Sequence, residues 1–385
     1  MSDERATHRI VVFSGKGGVG KTTIAVNLAY SLAQRGMRVG LLDADITGPN
    51  VPQMTGINEP PRHKGERLLP HEREGVKVVS LASLLPPDAP VIWRGPLRSK
   101  ALEQLLDETD WGDLDVLVTD LPPGTGDEVL TMAQKASPQL AIVVTTPQEV
   151  ALLDARRAVN FARKLEIPTI GLVENMSGLV CPHCGETIDL FGRGSGMREA
   201  LQRGVLFLGA VPLDPAARRA GDEGTPIVIN DPTSPVALCI RAVAGRIEQA
   251  LGMAIPGGGA PEPYSDTVIE RIRNPQNLGT LSKPDARGIV HGWCGDTMEI
   301  QLRLNAGKIV EARFQTDGCG PTAACGSMIT SLAIGRSIEE ANRITPEQLI
   351  EHLGGLPAES AHCARLAVDT LQEAAASWSG DENGQ

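Results

Sequence analysis

Residues 15–22 read Gly-Lys-Gly-Gly-Val-Gly-Lys-Thr, directly after an apolar run and directly before a helical pattern. Gly15-x-x-x-x-Gly20-Lys21-Thr22 is the spacing of a phosphate-binding loop. Gly15, Gly17, Gly18 and Gly20, with Val19 among them, let backbone N–H groups turn inward around phosphate oxygens. The helix that opens at Lys21, Thr22 and Thr23 adds the positive potential of its N-terminus. Lys21 would reach the β- and γ-phosphates, and the Thr22 hydroxyl would ligate Mg²⁺. The competing reading, a glycine turn without a ligand, does not account for the strand before it and the helix after it.

The second chemistry is that of sulfur. The chain has seven cysteines and a polar, charged start with no apolar leader. That start, and the lack of any stretch of about 18 apolar residues, give a cytoplasmic reading. In a reducing compartment cysteines serve as metal ligands, redox groups or buried thiols. Cys181-Pro-His-Cys184 offers two soft thiolates to one metal ion or one cluster edge, where a tetrahedral site uses four. A two-fold homodimer would supply the other two. A redox dithiol, or a zinc knuckle completed by His183, is the alternative. Farther on, Cys294 stands in Gly-Trp-Cys-Gly-Asp296 and Cys319 in Asp-Gly-Cys-Gly. Cys363 follows His362 where an amphipathic helix begins. Three thiolates with the Asp296 carboxylate or the His362 imidazole would make an incompletely thiolate-ligated site, one that gives up its cluster readily. Zinc, or three buried thiols, would use the same residues. Cys239 and Cys325 sit in apolar helical patterns and read as buried small hydrophobes. His8, His63, His71, His291 and His352 have no partner pattern and read as ordinary surface or satisfied residues.

The elements that must hold these residues follow from periodicity. Apolar runs at 9–14, 39–42, 76–81, 115–119, 140–145, 168–173 and 205–211 alternate with helical patterns such as 21–35 and 148–165. This predicts an α/β domain with a parallel sheet covered on both faces. Gly36 reads as the residue that stops the first helix. Asp43, Asp45 and Asp120 fall at or just beyond the ends of strand runs, where they can be ligands, caps or turn formers. Residues 253–263 hold three prolines and three glycines, a linker composition that separates a 1–252 domain from a second at 264–378, with a polar tail at 379–385. The second domain has strands at 286–293, 297–304 and 308–316. Helices follow at 320–334, 337–341, 345–352 and 361–376, an α+β order. A net charge of −11 and 3% aromatics argue against nucleic acid as a partner.

The additional lysine in the loop, Lys16, resembles the deviant Walker A motif of the MinD/ParA/nitrogenase-iron-protein class. That resemblance implies that Lys16 contacts nucleotide across a homodimer interface. It also implies that Asp45 positions the attacking water, that Asp43 is a weaker Mg²⁺ candidate, and that Asp120 holds Mg²⁺ through water. Trp93-Arg-Gly-Pro96, Asp120-Leu-Pro-Pro-Gly-Thr-Gly-Asp127, Glu174-Asn-Met-Ser177 and Cys181-Pro-His-Cys184 together resemble the Mrp/NBP35 (ApbC) family over about residues 8–252. The family implies an ATPase carrying a [4Fe–4S] cluster that bridges a dimer, with Asn175 at the adenine. Residues 264–378 resemble the IscU/NifU-N scaffold family. The residues that carry this are the three cysteine settings, Asn274-Pro-x-Asn277-Leu-Gly279 and Pro284-Asp-Ala-x-Gly288. Cys294, Cys319 and Cys363 would then be ligands of a labile [2Fe–2S] or [4Fe–4S] cluster, Asp296 would tune its lability, and His362 would be an alternative ligand. Leu356-Pro-Ala-Glu-Ser360 departs from that family's Leu-Pro-Pro-Val-Lys and lacks the lysine linked to the hand-off by an Hsp70-type chaperone.

The resemblances imply an ATP-dependent assembly and carrier protein whose partners are a second copy, a cysteine desulfurase and apo iron–sulfur clients, with no nucleic acid and no membrane. A ParA/MinD-like positioning ATPase would need a basic patch or an amphipathic C-terminal helix, and the chain ends Ser-Trp-Ser-Gly-Asp-Glu-Asn-Gly-Gln. A zinc-stabilised regulatory ATPase is the other rival, because zinc and iron–sulfur centres share ligands.

Overall fold

A computed structural model describes residues 6–45, 48–57, 59–65, 67–80, 95–180, 187–188, 190–192, 194–253, 264–292, 296–316, 320–357 and 360–378. The chain divides into two compact units, Met1–Gly258 and Gly259–Gln385. Residues 254–263 of the proline- and glycine-rich stretch lie outside the described residues.

The first unit is built on a nine-stranded sheet. His8–Phe13 lies at its middle, between Val116–Asp120 and Leu140–Thr145, and is parallel to both. Val39–Asp43 and Val76–Ser80 continue one side, and Thr169–Val180 the other. The central strands are buried along their length and apolar up to polar C-terminal ends, as a sheet covered on both faces requires. Short antiparallel strands, His71–Arg73 and Thr187–Ile188, finish two edges that the alternating pattern did not reveal. Consecutive strands depart to opposite sides of the central one, so its C-terminal end faces a crevice where the chain's directions diverge.

Three sequence expectations need correction. The run at 168–173 continues as a strand through Val180, because Glu174, Asn175 and Ser177, polar enough to end an apolar pattern, are buried with partners. Val180, the last residue of that strand, directly precedes Cys181 in the sequence, and Cys181–Cys184 themselves lie outside the described residues. His71, read as an ordinary surface or satisfied residue, is half-buried, and its Nε2 is buried with no hydrogen-bond partner among the described residues. The strand expected at 286–293 ends at His291.

The second unit is a three-stranded antiparallel meander, Ala286–His291, Thr297–Asn305 and Lys308–Thr316, with helices packed on it. Met298, Ile300 and Leu302 alternate inward along the middle strand and meet Phe314, Ile329, Leu366 and Leu371 in one core. Two glycines set how close the helices come. A Cβ at Gly326 would overlap the Phe314 ring, and one at Gly288 would overlap the backbone at Ala374. The helix Ala361–Ala376 coincides with its sequence expectation. Cys239 and Cys325 are buried, as their apolar settings predicted.

Candidate functional site

The phosphate loop joins His8–Phe13 to the helix Lys21–Gln34. Gly18 and Gly20 have φ of 81° and 84°, a left-handed backbone that side chains disfavour. Gly20 caps the helix with no side chain involved, leaving its first N–H groups directed at the loop's interior. Beside the loop lies a cavity of about 700 Å³, lined by Gly17, Lys21, Thr22, Asp45, Asn175 and Arg218 among others. Tight packing fixes the loop from behind. A Cβ at Gly15 would overlap the Asp154 backbone, and one at Gly20 the Asn175 side-chain amide.

Sheet register gathers the acidic residues. Asp43 and Asp120 are directly opposite each other on adjacent parallel strands, and Val12 is opposite Asp120 on its other side. Lys21 Nζ donates to Asp120 Oδ1 at 2.6 Å and lies 3.7 Å from Asp45 Oδ2. Thr22 Oγ1 donates to Asp120 Oδ2 at 2.7 Å. Ser80 Oγ and the Asp45 N–H both donate to Asp43. Burial, and then the neighbouring Asp120 carboxylate, push Asp43 up to about 8. Burial also raises Asp120, against the Lys21 ammonium and the Thr22 hydroxyl, both of which favour its ionised form. Asp120 and Asp45 thus share one buried cation, with Asp43 beside Asp120. An arriving phosphate would compete for Lys21, and a divalent cation would replace its charge beside Asp120. The Thr22 hydroxyl and the Asp120 carboxylate are a hard, oxygen-only donor pair, which fits Mg²⁺.

Among the other loop residues, Lys16 is half-buried and its carbonyl accepts from Ser14 Oγ at 2.7 Å. Thr23 follows on the helix and also lines the cavity. Asn175 Nδ2 donates to the Val19 carbonyl at 2.9 Å, so the strand Thr169–Val180 touches the loop directly. Cys181 and Cys184 lie outside the described residues, as do Trp93 and Arg94.

In the second unit Cys294 and Cys319 lie outside the described residues; Asp296, His362 and Cys363 do not. Thr322, which the sequence reading passed over, joins them. Its hydroxyl lies 2.7 Å from Asp296 Oδ2 and 3.2 Å from Cys363 Sγ. A hydroxyl has one hydrogen; donated to the carboxylate, it leaves the oxygen to accept the thiol S–H. His362 Nε2 is 3.5 Å from the same sulfur. Asp296, Thr322 and Cys363 are all nearly or fully buried. The available signal for Thr322 was its place three residues after Cys319 in a helix's first turn, hidden by an otherwise apolar run.

The sequence model of the ParA: NUBPL iron-transfer P-loop NTPase family matches residues 5–248, and that of the NifU-like N terminal domain matches 263–384. An iron–sulfur cluster carrier protein of Pyrococcus horikoshii is 46% identical over 272 residues, covering 68% of this chain and 92% of that protein. One of Methanocaldococcus jannaschii is 51% identical over 229 residues, 58% of this chain and 79% of that protein. A solved nucleotide-binding protein of Archaeoglobus fulgidus in complex with ADP is 38% identical, with a TM-score of 0.51 over 56% of this chain and 86% of that one. With its phosphate loop, its acidic strand ends and most of its length matched, the chain belongs to the ParA/NUBPL iron-transfer P-loop NTPase family and carries a NifU-like N-terminal domain behind that module.

Proposed function

We propose that the protein is an ATP-dependent iron–sulfur cluster carrier with its own scaffold module attached. The observation that carries this reading is the course of one strand. Thr169–Val180 supplies Asn175 to the nucleotide cavity, and Cys181-Pro-His-Cys184 follows its last residue directly in the sequence, which links nucleotide and thiol chemistry along one stretch of chain. The family of the first module and the names of its relatives, which are cluster carriers, support it.

In this reading the phosphate loop binds ATP, with Asn175 toward the base and Lys21 on the phosphates. Thr22 ligates Mg²⁺, Asp120 holds it through water, and Asp43 is a weaker contributor. Asp45 orients the water that attacks the γ-phosphorus, so that ADP and phosphate leave. Lys16 of each copy reaches the nucleotide of the other in a homodimer. Cys181 and Cys184 from the two copies complete four thiolates for a bridging [4Fe–4S] cargo. In the second module Cys294, Cys319 and Cys363 hold a more labile cluster, with Asp296 and His362 as the non-thiolate donors. A cysteine desulfurase supplies its sulfur, and apo iron–sulfur proteins receive the product. A short tether keeps donor near acceptor at about millimolar effective concentration.

Anaerobic reconstitution with iron and sulfide, followed by absorbance and Mössbauer spectra, tests the reading. Wild type should take up acid-labile sulfide; zinc uptake without sulfide would refute cluster carriage. The double variant Cys181→Ala/Cys184→Ala and the single variant Cys319→Ala should each lose part of that sulfide. Full uptake by both would refute the ligand assignment. Lys16→Ala should depress hydrolysis, and unchanged turnover would remove the cross-dimer role.

A further inference from the structure

The family signature Glu174-Asn175-Met176-Ser177 contains a buried carboxylate that nucleotide binding does not use. Glu174 is fully buried in the strand Thr169–Val180. A buried carboxylate is tolerated only with donors around it, and among the described residues Glu174 has three. Ser177 Oγ donates to it at 2.6 Å, the Gly194 N–H at 2.9 Å, and the Gly196 N–H also donates. Gly194 and Gly196 flank the first residue of the helix Ser195–Arg203. A Cβ at Gly196 would come within 2.9 Å of Glu174 Oε2, so glycine is what permits this approach. Farther along the helix, Glu199 accepts from Arg156 on the helix Glu149–Lys164. The helix is therefore held at its start by the strand and along its length by a neighbour.

The next residue on that strand faces a different structure. Asn175 donates to the Val19 carbonyl, inside the phosphate loop, and fills the space a Cβ at Gly20 would need. Successive strand side chains point to opposite faces, so this dipeptide grips the loop with one residue and the helix start with the other. Just beyond it the strand stops being regular. Met176 and Gly178 have φ of 58° and 73°, and pairing with Leu206–Leu213 slips between Asn175 and Leu179. Such a bulge interrupts the ladder and bends the strand locally.

We propose that Glu174 is a positioning residue that transmits the state of the phosphate loop to the helix Ser195–Arg203. When nucleotide fills the loop and its peptide groups turn toward phosphate, the Val19 carbonyl moves. Asn175 follows it, and Glu174 carries the displacement to the amides of Gly194 and Gly196. The inference rests on the proposed nucleotide role of the loop; it needs no assumption about which metal or cluster the protein carries. A helix-capping carboxylate with no part in coupling would predict a loss of stability but an intact response to nucleotide.

The experiment is amide hydrogen exchange on the full-length protein, with and without Mg²⁺ and a non-hydrolysable ATP analogue. Exchange in residues 194–203 should change by about fivefold or more on nucleotide binding in wild type. In Glu174→Gln, where a side-chain amide faces backbone N–H groups, nucleotide affinity should persist while the response in 194–203 disappears. Ser177→Ala, which keeps both backbone bonds, should retain part of the response, and it decides the matter if Glu174→Gln does not fold. A wild-type response in Glu174→Gln, or in its place an undiminished response in Ser177→Ala, would overturn the proposal. So would wild type that binds the analogue with no change at 194–203. Failure of the analogue to bind at all would instead refute the nucleotide role, and sulfide uptake on reconstitution tests cluster carriage separately.

Discussion

The two sites share one structural device and differ in what is placed beside it. In each, a threonine in a helix's first turn hydrogen-bonds a buried carboxylate at 2.7 Å: Thr22 to Asp120, and Thr322 to Asp296. At the first, the additional neighbour is the Lys21 ammonium, 2.6 Å from the carboxylate. At the second it is the Cys363 thiol, with the His362 imidazole 3.5 Å from the sulfur. A strongly hydrated point charge on hard oxygens suits phosphate and Mg²⁺. A thiol and an imidazole suit zinc, iron and their clusters. In the proposed function the same threonine–aspartate pair would serve two chemistries, with the third group deciding which.

The largest test of this contrast removes the cation. Lys21→Ala should lower ATP hydrolysis about 10²–10³-fold in a phosphate-release assay, as expected for loss of a preorganised charge at the transferring group. It also leaves the Asp120 and Asp45 carboxylates without their shared cation, which should cost about 3 kcal/mol in denaturant unfolding of the first unit. Exchanging the loss between sites comes next. Thr22→Val should abolish Mg²⁺-dependent turnover while sparing cobalt uptake at the second site, followed by its thiolate-to-metal absorbance. Thr322→Val should do the reverse, lowering cobalt affinity about tenfold or more, as losses of groups orienting ligands do. Thr322→Ser should restore it, and equal effects of Thr22→Val and Thr322→Val on both assays would break the comparison.

Smaller effects separate the two cores. Gly326→Ala presses a methyl into the Phe314 ring and should destabilise the second unit by about 1–3 kcal/mol, leaving nucleotide affinity unchanged. Acidity gives a signed test of the first unit. Asp43 is held up at about 8, whereas an unfolded aspartate titrates near 3.9. Between these values the folded state binds more protons than the unfolded one. The contribution of Asp43 is therefore fully present below about pH 4 and is lost as pH rises toward about 8. Asp43→Asn should flatten that decline in a pH series of unfolding curves; an unchanged slope would show that Asp43 is ionised throughout. At the small end, the exposed Arg365–Asp369 pair on the helix Ala361–Ala376 should matter by less than about 0.5 kcal/mol when Arg365 becomes alanine.

What the sequence determined by itself was whatever depends on short-range spacing. The loop Gly15–Thr22 needs its glycines and lysine at fixed offsets, and the strand and helix around it follow from local periodicity. The helix Ala361–Ala376 was legible to the residue because its apolar face repeats without interruption. The cysteine settings were legible as spacing, with zinc, redox and buried-thiol readings left open, and Cys181, Cys184, Cys294 and Cys319 lie outside the described residues. Tertiary structure alone decided where polar residues could be buried. Glu174 and Asn175 looked like the end of a strand because the nearby Ser177 supplies Glu174 a single bond and Asn175 none. Their other partners are residues 19, 194 and 196, which only the fold brings close. Thr322 was hidden for the same reason, because its carboxylate and thiol come from positions 26 residues before it and 41 after. The grouping of Asp43 with Asp120 was likewise a matter of sheet register. A pattern of types along the chain records which residues can be buried, whereas the partners that make burial of a charge or hydroxyl tolerable are set by long-range pairing.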